Sequence, residues 1–402
     1  MKDIKTNIPL PEVVWFQEGP GVRNTQYTIS GVKLLNVANL VDGKIDLSTS
    51  DRYISEEEAY GRYKHFMADE GDLIIASSGI KVEYIDKKIG FIHKEHLPLC
   101  MNTSTIRFKV IDDKELNIKF FMYFLKSNEF KHQLFRHITG CAQLNFGPSH
   151  LKKMIISYPP LPEQSRIVEE LDLLSNIIEK KRQQLSELDN LAQSIFYDMF
   201  GDPVTNEKGW EVKKLGEVYA INPSKKITLI GIEGDDMVSF LPMEDLPIKA
   251  CYVTPKQNRT CNEVMSSYTC FANNDVLLAK VTPCFENGKV GIASNLINGV
   301  GFGSSEFIVI RPKELAVKEY VYHLVQTDNF VEKACKQFTG TSGLRRVPKQ
   351  FVEQLKIGIP PLSLQQLFAQ KIEAIEQQKA LIKQSIAETE ELFNSRMDYY
   401  FS

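Results

Sequence analysis

The chain has 402 residues and a mass of 45.8 kDa, which exceeds one ordinary domain, so we expect two or three domains. Its composition, 43% hydrophobic and 25% charged, is typical of a globular protein, and we find neither a membrane-length apolar run nor a secretory leader. The net charge of −3 argues against nucleic-acid binding, which needs clustered Lys and Arg. Seven cysteines without a C-x-x-C pair predict reduced thiols and a cytoplasmic protein.

The first 157 residues predict a mixed domain. Short apolar runs at 32–37, 73–76 and 105–110 predict strands, and residues 117–137 predict one helical stretch. Charged and turn residues separate these segments, and no regular alternation of strands and helices occurs. We therefore expect an α+β domain with a mostly antiparallel sheet.

Residues 158–200 predict one long helix. It starts after Pro159-Pro160 and has no Gly or Pro beyond Pro162 until Gly201-Asp202-Pro203 ends it. Apolar residues recur at spacings of three, four and seven, as in a helix that packs along another helix, with one polar break at Lys181. This seam contains Ile167, Leu171, Leu174, Ile178, Leu185, Leu188, Ala192, Ile195 and Met199.

The same order of elements returns in residues 201–402. Residues 201–358 predict a second mixed domain, with strands at 238–241, 276–279 and 307–310 and a helix at 317–338. Residues 359–402 predict a second long helix whose seam is interrupted by three polar positions. The apolar seam residues are Phe368, Ile372, Ile375, Ile382, Ile386, Phe393 and Tyr400, and the interruptions are Lys379, Thr389 and Arg396.

Individual residues also repeat at an offset near 200. Thr139-Gly140 matches Thr339-Gly340, and Gln164 matches Gln365 in the segments that follow the paired prolines. Pro148 likewise corresponds to Pro348. Matches in one order at one spacing predict an internal duplication.

We expect the two long helices to pack against each other and so bury their apolar stripes. A helix of this length spans about 60 Å and cannot bury such a stripe alone. If a two-fold axis relates the repeats, the helices run antiparallel as an intramolecular coiled coil. The alternative is that each helix packs separately onto its own mixed domain.

Motifs of catalysis and metal binding are missing from the sequence. We find no Gly-rich phosphate loop, no G-x-G-x-x-G and no G-x-S-x-G. His93 and His96 with Cys100 only loosely resemble a zinc site, and the second copy has no counterpart. We therefore predict no catalytic residue and no metal site.

Dividing the charge along the chain changes the first impression. The long helices carry −4 and −2, which leaves +3 on the mixed domains. Residues 333–349 hold five basic and no acidic side chains, and residues 119–153 hold six basic and one acidic. A charge run is often only a solvated face, but the same excess around both Thr-Gly segments favours phosphate contact.

The Thr-Gly segments also carry side chains that can read bases. Amides can bridge adenine and guanidinium groups can bridge guanine, although ordinary loop residues would look the same. The predicted DNA-binding residues are Lys131, Arg136, Gln143, Asn145, Lys152, Lys153, Lys280, Lys333, Lys336, Arg345, Arg346 and Lys349.

The whole arrangement resembles the specificity (S) subunit of Type I restriction–modification enzymes. The resemblance rests on three features: the repeated T-G-x-x-x-L-x-x-x-P segments, the sequences YPPLPEQSRIVEEL and IPPLSLQQLFAQKI at the start of the long helices, and the FGDP-x(6)-W segment between the two copies. The resemblance implies two target recognition domains, each reading one half of a bipartite, asymmetric DNA sequence, and helices that set the spacing. It implies binding to double-stranded DNA, two modification (methyltransferase) subunits and two restriction (motor and nuclease) subunits.

The resemblance also implies that this chain holds no cofactor. S-adenosylmethionine would bind to the modification subunits, and ATP and Mg to the restriction subunits. The apolar seam of the second helix has more polar interruptions than that of the first. Part of this helix face is therefore expected to contact a partner subunit instead of the first helix. A non-enzymatic, pseudo-dimeric adaptor for other proteins is the alternative function.

Overall fold

The structure is a computed structural model that describes residues 4–138, 144–248, 250–341 and 343–402. It divides into two compact units, Met1–Lys180 with Ile386–Ser402, and Lys181–Ser385. Each unit therefore combines one mixed domain with part of both long helices.

The first unit is built on a four-stranded antiparallel sheet in the order β2-β11-β7-β9, beside a smaller sheet β10-β3-β6. The strands are β1 Lys5–Pro9, β2 Val14–Glu18, β3 Val32–Leu35, β4 Leu40–Val41, β5 Lys44–Ile45, β6 Tyr53–Ile54, β7 Leu73–Ala76, β8 Ser78–Ile80, β9 Ile89–Phe91, β10 Leu99–Met101, β11 Thr105–Val110, β12 Leu144–Asn145 and β13 Ile155–Tyr158. The helices are α1 Leu10–Val13, α2 Glu56–Tyr60, α3 Ile118–Lys126, α4 Asn128–His137, α5 Pro148–Leu151 and the long α6 Leu161–Phe200.

The second unit has a five-stranded sheet, β15-β23-β20-β21-β17, and a four-stranded sheet, β18-β16-β22-β19. The strands are β14 Glu211–Lys214, β15 Tyr219–Ile221, β16 Met237–Leu241, β17 Tyr252–Val253, β18 Gln257–Thr260, β19 Thr269–Ala272, β20 Val276–Ala279, β21 Val290–Ala293, β22 Val300–Gly303, β23 Phe307–Pro312 and β24 Lys356–Ile359. The helices are α7 Leu215–Val218, α8 Lys225–Thr228, α9 Cys261–Val264, α10 Lys318–Leu324, α11 Asp328–Cys335, α12 Lys349–Gln354 and the long α13 Leu362–Phe401.

The predicted α+β architecture is confirmed in both units. The central strands β7 and β20 are buried at every residue, which explains their unbroken apolar sequence, since both sheet faces are covered. β7 pairs antiparallel with its neighbour β11, and β20 pairs antiparallel with its neighbour β23. Three pairs are parallel, namely β10 with β3, β16 with β22 and β17 with β21.

The helical stretch predicted before each Thr-Gly segment is present, but a buried hydroxyl divides it into two helices. Ser127 separates α3 from α4, and Thr327 lies between α10 and α11. The Ser127 hydroxyl accepts from the Phe130 amide at 3.2 Å, and Thr327 accepts from Phe330 at 3.3 Å. Each is the N-cap of a new helix, which ends the preceding one.

A buried glutamine attaches the start of each long helix to its mixed domain. Gln164 and Gln365 are both 0% exposed. The Gln365 side chain accepts from the Val317 amide at 3.1 Å and donates to the carbonyls of Leu315 at 3.2 Å and Pro360 at 2.9 Å. Gln164 makes the corresponding three bonds in the first unit. The repeated Pro-Pro-Leu-x-x-Gln sequence is therefore a structural joint.

The long helices pair antiparallel, as predicted. In the first unit, Arg396 near the end of α13 forms an ion pair with Glu170 near the start of α6. In the second, Lys379 Nζ lies 2.7 Å from Asp189 Oδ1, and Phe368 packs against the last turns of α6. Residue numbers thus fall on one helix as they rise on the other.

The predicted seam residues differ in burial along the pair. Near the end of α6 the buried aromatic residues are Phe196 and Phe200, whereas Ile195 is half-buried, because the helix rotates relative to a strict heptad. Lys379 was predicted to interrupt the seam, but it is only 4% exposed. The buried seam residues are Ile167, Leu171, Leu174, Ile178, Ala192, Phe368, Ile372, Ile375 and Ile386, and the half-buried ones are Leu185, Leu188, Ile195, Met199, Ile382, Phe393 and Tyr400.

Candidate nucleic-acid interface

The second Thr-Gly segment forms a tight hairpin. The Thr339 amide donates to the Arg346 carbonyl at 3.0 Å, and the Arg346 amide donates back at 2.8 Å. Gly340 has φ +115°, and a Cβ there would lie 2.7 Å from the Leu344 carbonyl oxygen. Glycine is therefore required at this position by both conformation and space.

This hairpin is fixed to the end of the central strand. The Val347 amide donates to the Lys280 carbonyl at 2.9 Å, and the Lys280 amide donates to Glu306 at 2.9 Å. The first unit has the same connections, from Phe146 to Ser77 at 2.9 Å and from Ser77 to Ser104 at 2.8 Å. The hydrogen bonds that hold the residue after the loop to the central strand are thus duplicated.

In the first unit, the predicted contact residues lie around these connections. Asn145 is exposed in β12, which pairs with β8. Arg136 is exposed on α4, and Lys152 and Lys153 are exposed after α5, whereas Lys131 is half-buried. Gln143 lies outside the described residues, as do Thr139 and Gly140.

Among the described residues, Arg136, Lys152 and Lys153 form no ion pair. Their charges therefore remain available to an anion such as phosphate. These three basic side chains can hold the DNA backbone, and the exposed amide of Asn145 can contact a base.

In the second unit, Arg346 is already engaged. Its guanidinium Nε and Nη2 donate to the two oxygens of Glu306 at 2.9 and 2.8 Å, and these bonds lower the pKa of Glu306. Lys280 Nζ lies 3.9 Å from the same carboxylate. Sequence reasoning missed Glu306, because its counterpart in the first copy is Ser104.

Arg345 is the more accessible of the two adjacent arginines. Its side chain is 50% exposed and lies 3.6 Å from Glu286, with its guanidinium 5.0 Å from the centre of the Phe338 ring. Such stacking fixes a planar donor group while its edge stays in solvent.

The remaining basic candidates of this unit lie on neighbouring helices. Lys333 and Lys349 are exposed on α11 and at the start of α12. Lys336 Nζ forms an ion pair with Glu332 at 2.5 Å. Of the predicted residues here, Arg345, Lys333 and Lys349 are therefore best able to meet a phosphate or a base edge.

The residues that loosely suggested zinc do not form a ligand set. His96 Nδ1 accepts from the His93 backbone amide at 3.0 Å. Cys100 is buried, and desolvation raises the pKa of its thiol to about 12, so it stays protonated. In the described ranges, no group of three or more potential ligands could hold a metal ion.

The long helices expose leucines as well as charges. These side chains are between 47% and 68% exposed. They are Leu173, Leu191, Leu367, Leu381 and Leu392. No helix in the described part of the chain is long and apolar enough to cross a membrane.

The sequence model of the Type I restriction modification DNA specificity domain matches residues 30–190 and again residues 207–391. The chain belongs to this family. The two matches coincide with the two copies of the repeat, so each copy of the Thr-Gly segment lies in one specificity domain.

Named relatives agree with this membership. The Type I restriction enzyme EcoAI specificity subunit of Escherichia coli is 35% identical over 159 residues, or 39% of this chain and 26% of its own length. The putative type I restriction enzyme MjaX specificity subunit of Methanocaldococcus jannaschii is 23% identical over 86% of this chain and 80% of its own. The match thus spans about a quarter of the E. coli relative.

A solved structure shares the fold. A chain from a study of complex assembly and conformational transition of the type I R-M system aligns with a TM-score of 0.54 at 17% identity. The alignment covers 100% of this chain and 98% of that chain. At this identity the likeness concerns architecture alone.

Proposed function

We propose that the chain is the sequence-specific DNA-binding subunit of a Type I restriction–modification complex, in which each recognition domain reads one half of a bipartite, asymmetric target. The observation that carries this proposal is the double match to the DNA specificity domain, one for each copy of the Thr-Gly segment. Duplicated anchoring bonds with different loop sequences suit two readers of different half-sites.

The loop chemistry supports this division. In the first unit, Asn145 offers an amide, the group that bridges adenine in the major groove. In the second, Arg345 offers a guanidinium, the group that bridges guanine. Arg346 shapes the loop through Glu306 instead of reading a base.

The long helices set the spacing and recruit the catalytic subunits. Each has 40 residues and a length of about 60 Å, and this helix length sets the separation of the half-sites. The exposed leucines dock two modification subunits, and two restriction subunits join the full complex.

Catalysis belongs to these partners. This chain recognises the DNA target sequence and holds no cofactor of its own. The modification subunits bind S-adenosylmethionine, and the restriction subunits bind ATP and Mg. The complex works in the cytoplasm, where the DNA is.

Methylome sequencing of cells that express the chain with its modification subunit tests the proposal. Asn145→Ala should relax the choice of base in one half-site, and Arg345→Ala in the other, with the spacing unchanged. Lys371→Ala is the matched control, since Lys371 is an exposed cation on α13 and lies outside both loops.

Two outcomes would contradict the assignment. An unchanged methylated sequence in both loop variants would remove the named readers. Absence of any salt-dependent affinity of the complete complex for duplex DNA would favour the protein-adaptor function instead.

A further inference from the structure

A polar cavity of about 240 Å³ lies in the second unit, at the place where α6, α10 and α13 meet. Ala192 and Gln193 of α6, His323 of α10 and Lys379 of α13 contribute to its lining. None of these residues belongs to the loops proposed to read DNA.

The cavity has a specific origin in the repeat. Ala192 corresponds to Phe393 in the other copy, and His323 corresponds to Tyr123. In the first unit these larger residues meet, with ring centres 6.3 Å apart, and the Tyr123 hydroxyl donates to Asp172 at 2.6 Å. Alanine and histidine leave the equivalent volume open in the second unit.

The lining is electrically unbalanced. It includes the carboxylates of Asp189, Asp328 and Glu376 and the single ammonium of Lys379. Lys379 Nζ donates to Asp189 Oδ1 at 2.7 Å and to Glu376 Oε1 at 2.6 Å. One cation is thus shared between two carboxylates, and the site retains a net charge of −2 when His323 is neutral.

His323 adds a buried acceptor. Its Nδ1 lies 3.4 Å from Gln193 Oε1, and the tautomer that donates from Nδ1 to this oxygen leaves a lone pair on Nε2. Nε2 has no hydrogen-bond partner among the described residues, and the side chain is 6% exposed. Burial and the charge of Lys379 lower the pKa of His323 to about 3, so the ring is neutral near pH 7.

We propose that this cavity binds a basic group, an alkylammonium or a guanidinium, supplied by a small molecule or by a side chain of a partner protein. His323 Nε2 is an acceptor without a partner among the described residues, and the carboxylates of the lining outnumber its one ammonium. The ligand must therefore bring N–H donors and positive charge. The rings of Tyr197 and Tyr322, which also line the cavity, suit a cation of this kind.

The test uses agmatine, an alkylguanidinium, titrated by calorimetry into the full-length chain. Ala192→Phe restores the residue type of the other copy and should weaken binding by more than about tenfold, because the ring fills the cavity. Ser194→Phe is the matched control, since it also introduces a phenylalanine on α6 but at an exposed position outside the cavity lining, and it should leave binding unchanged.

His323→Phe is a second variant that keeps the ring and removes the acceptor. It should also weaken agmatine binding, and thermal unfolding of each variant shows whether the fold is retained. Equal agmatine affinity in wild type and in folded Ala192→Phe would overturn the proposal.

A second measurement distinguishes the two sources of the ligand. If agmatine does not bind to the free chain, native mass spectrometry of the complex with the modification subunit decides. Selective loss of that complex in Ala192→Phe, and not in Ser194→Phe, would identify a basic side chain of the partner, and no loss would overturn the proposal. Methylated half-sites that stay unchanged in these variants keep this result separate from the function in DNA recognition.

Discussion

Replacement of Gln365 by alanine should destabilise the second unit selectively. Gln365 satisfies three buried backbone groups, the Val317 amide and the Leu315 and Pro360 carbonyls. Each hydrogen bond contributes about 1 kcal/mol net, and a buried group left without a partner costs somewhat more. We therefore expect the free energy of unfolding to fall by about 3 kcal/mol.

The two tryptophans make this effect measurable in each unit, because Trp15 lies in the first and Trp210 in the second. In a Trp15→Phe background, the Trp210 fluorescence reports urea unfolding of the second unit. Gln365→Ala should lower the midpoint of that transition, whereas the exposed neighbour Gln366→Ala should leave it within error. Equal midpoints for the two variants would refute the anchoring role.

Further predictions concern the loop, pH and spacing. Arg346→Ala should speed hydrogen exchange of the Thr339 amide, because the hairpin loses its link to Glu306, and Lys349→Ala should not. Because His323 has a folded-state pKa of about 3, below its unfolded value of about 6.5, its contribution to stability is present above pH 6.5 and declines below it. At pH 5 the second unit should lose about 2 kcal/mol, and His323→Phe should flatten that dependence in pH-resolved urea unfolding. One added heptad in both long helices should widen the gap between the two methylated half-sites by about three base pairs. An unaltered gap in the methylome would contradict the proposal that the helices set this spacing.

Several features followed from the sequence because local pattern dictates them. The apolar runs at β7 and β20 could only be covered strands, and the heptad spacing after each proline pair required a long helix with a partner. Because the chain is duplicated, both copies predict the same elements. Gln164 and Gln365 occupy matching positions in the two copies, which the sequence alone shows.

Other features depended on groups that are distant in the chain. The division of each predicted helix at Ser127 and Thr327 follows from a buried capping hydroxyl, which helical periodicity does not record. Arg346 is neutralised by Glu306, which is 40 residues away. Because this partner is distant in the chain, the sequence around Arg346 predicts an unpaired arginine that can contact a base.

The sequence by itself determined the repeat, the two-part order of each copy and the long apolar seams. Only the tertiary structure decided which charges are free and which are paired, because ion pairing and desolvation depend on what packs opposite. Lys379 shows the difference, since it was predicted as a break in the seam and instead lies buried between Asp189 and Glu376 beside a cavity. A lone lysine tolerates that position only where folding brings carboxylates to it.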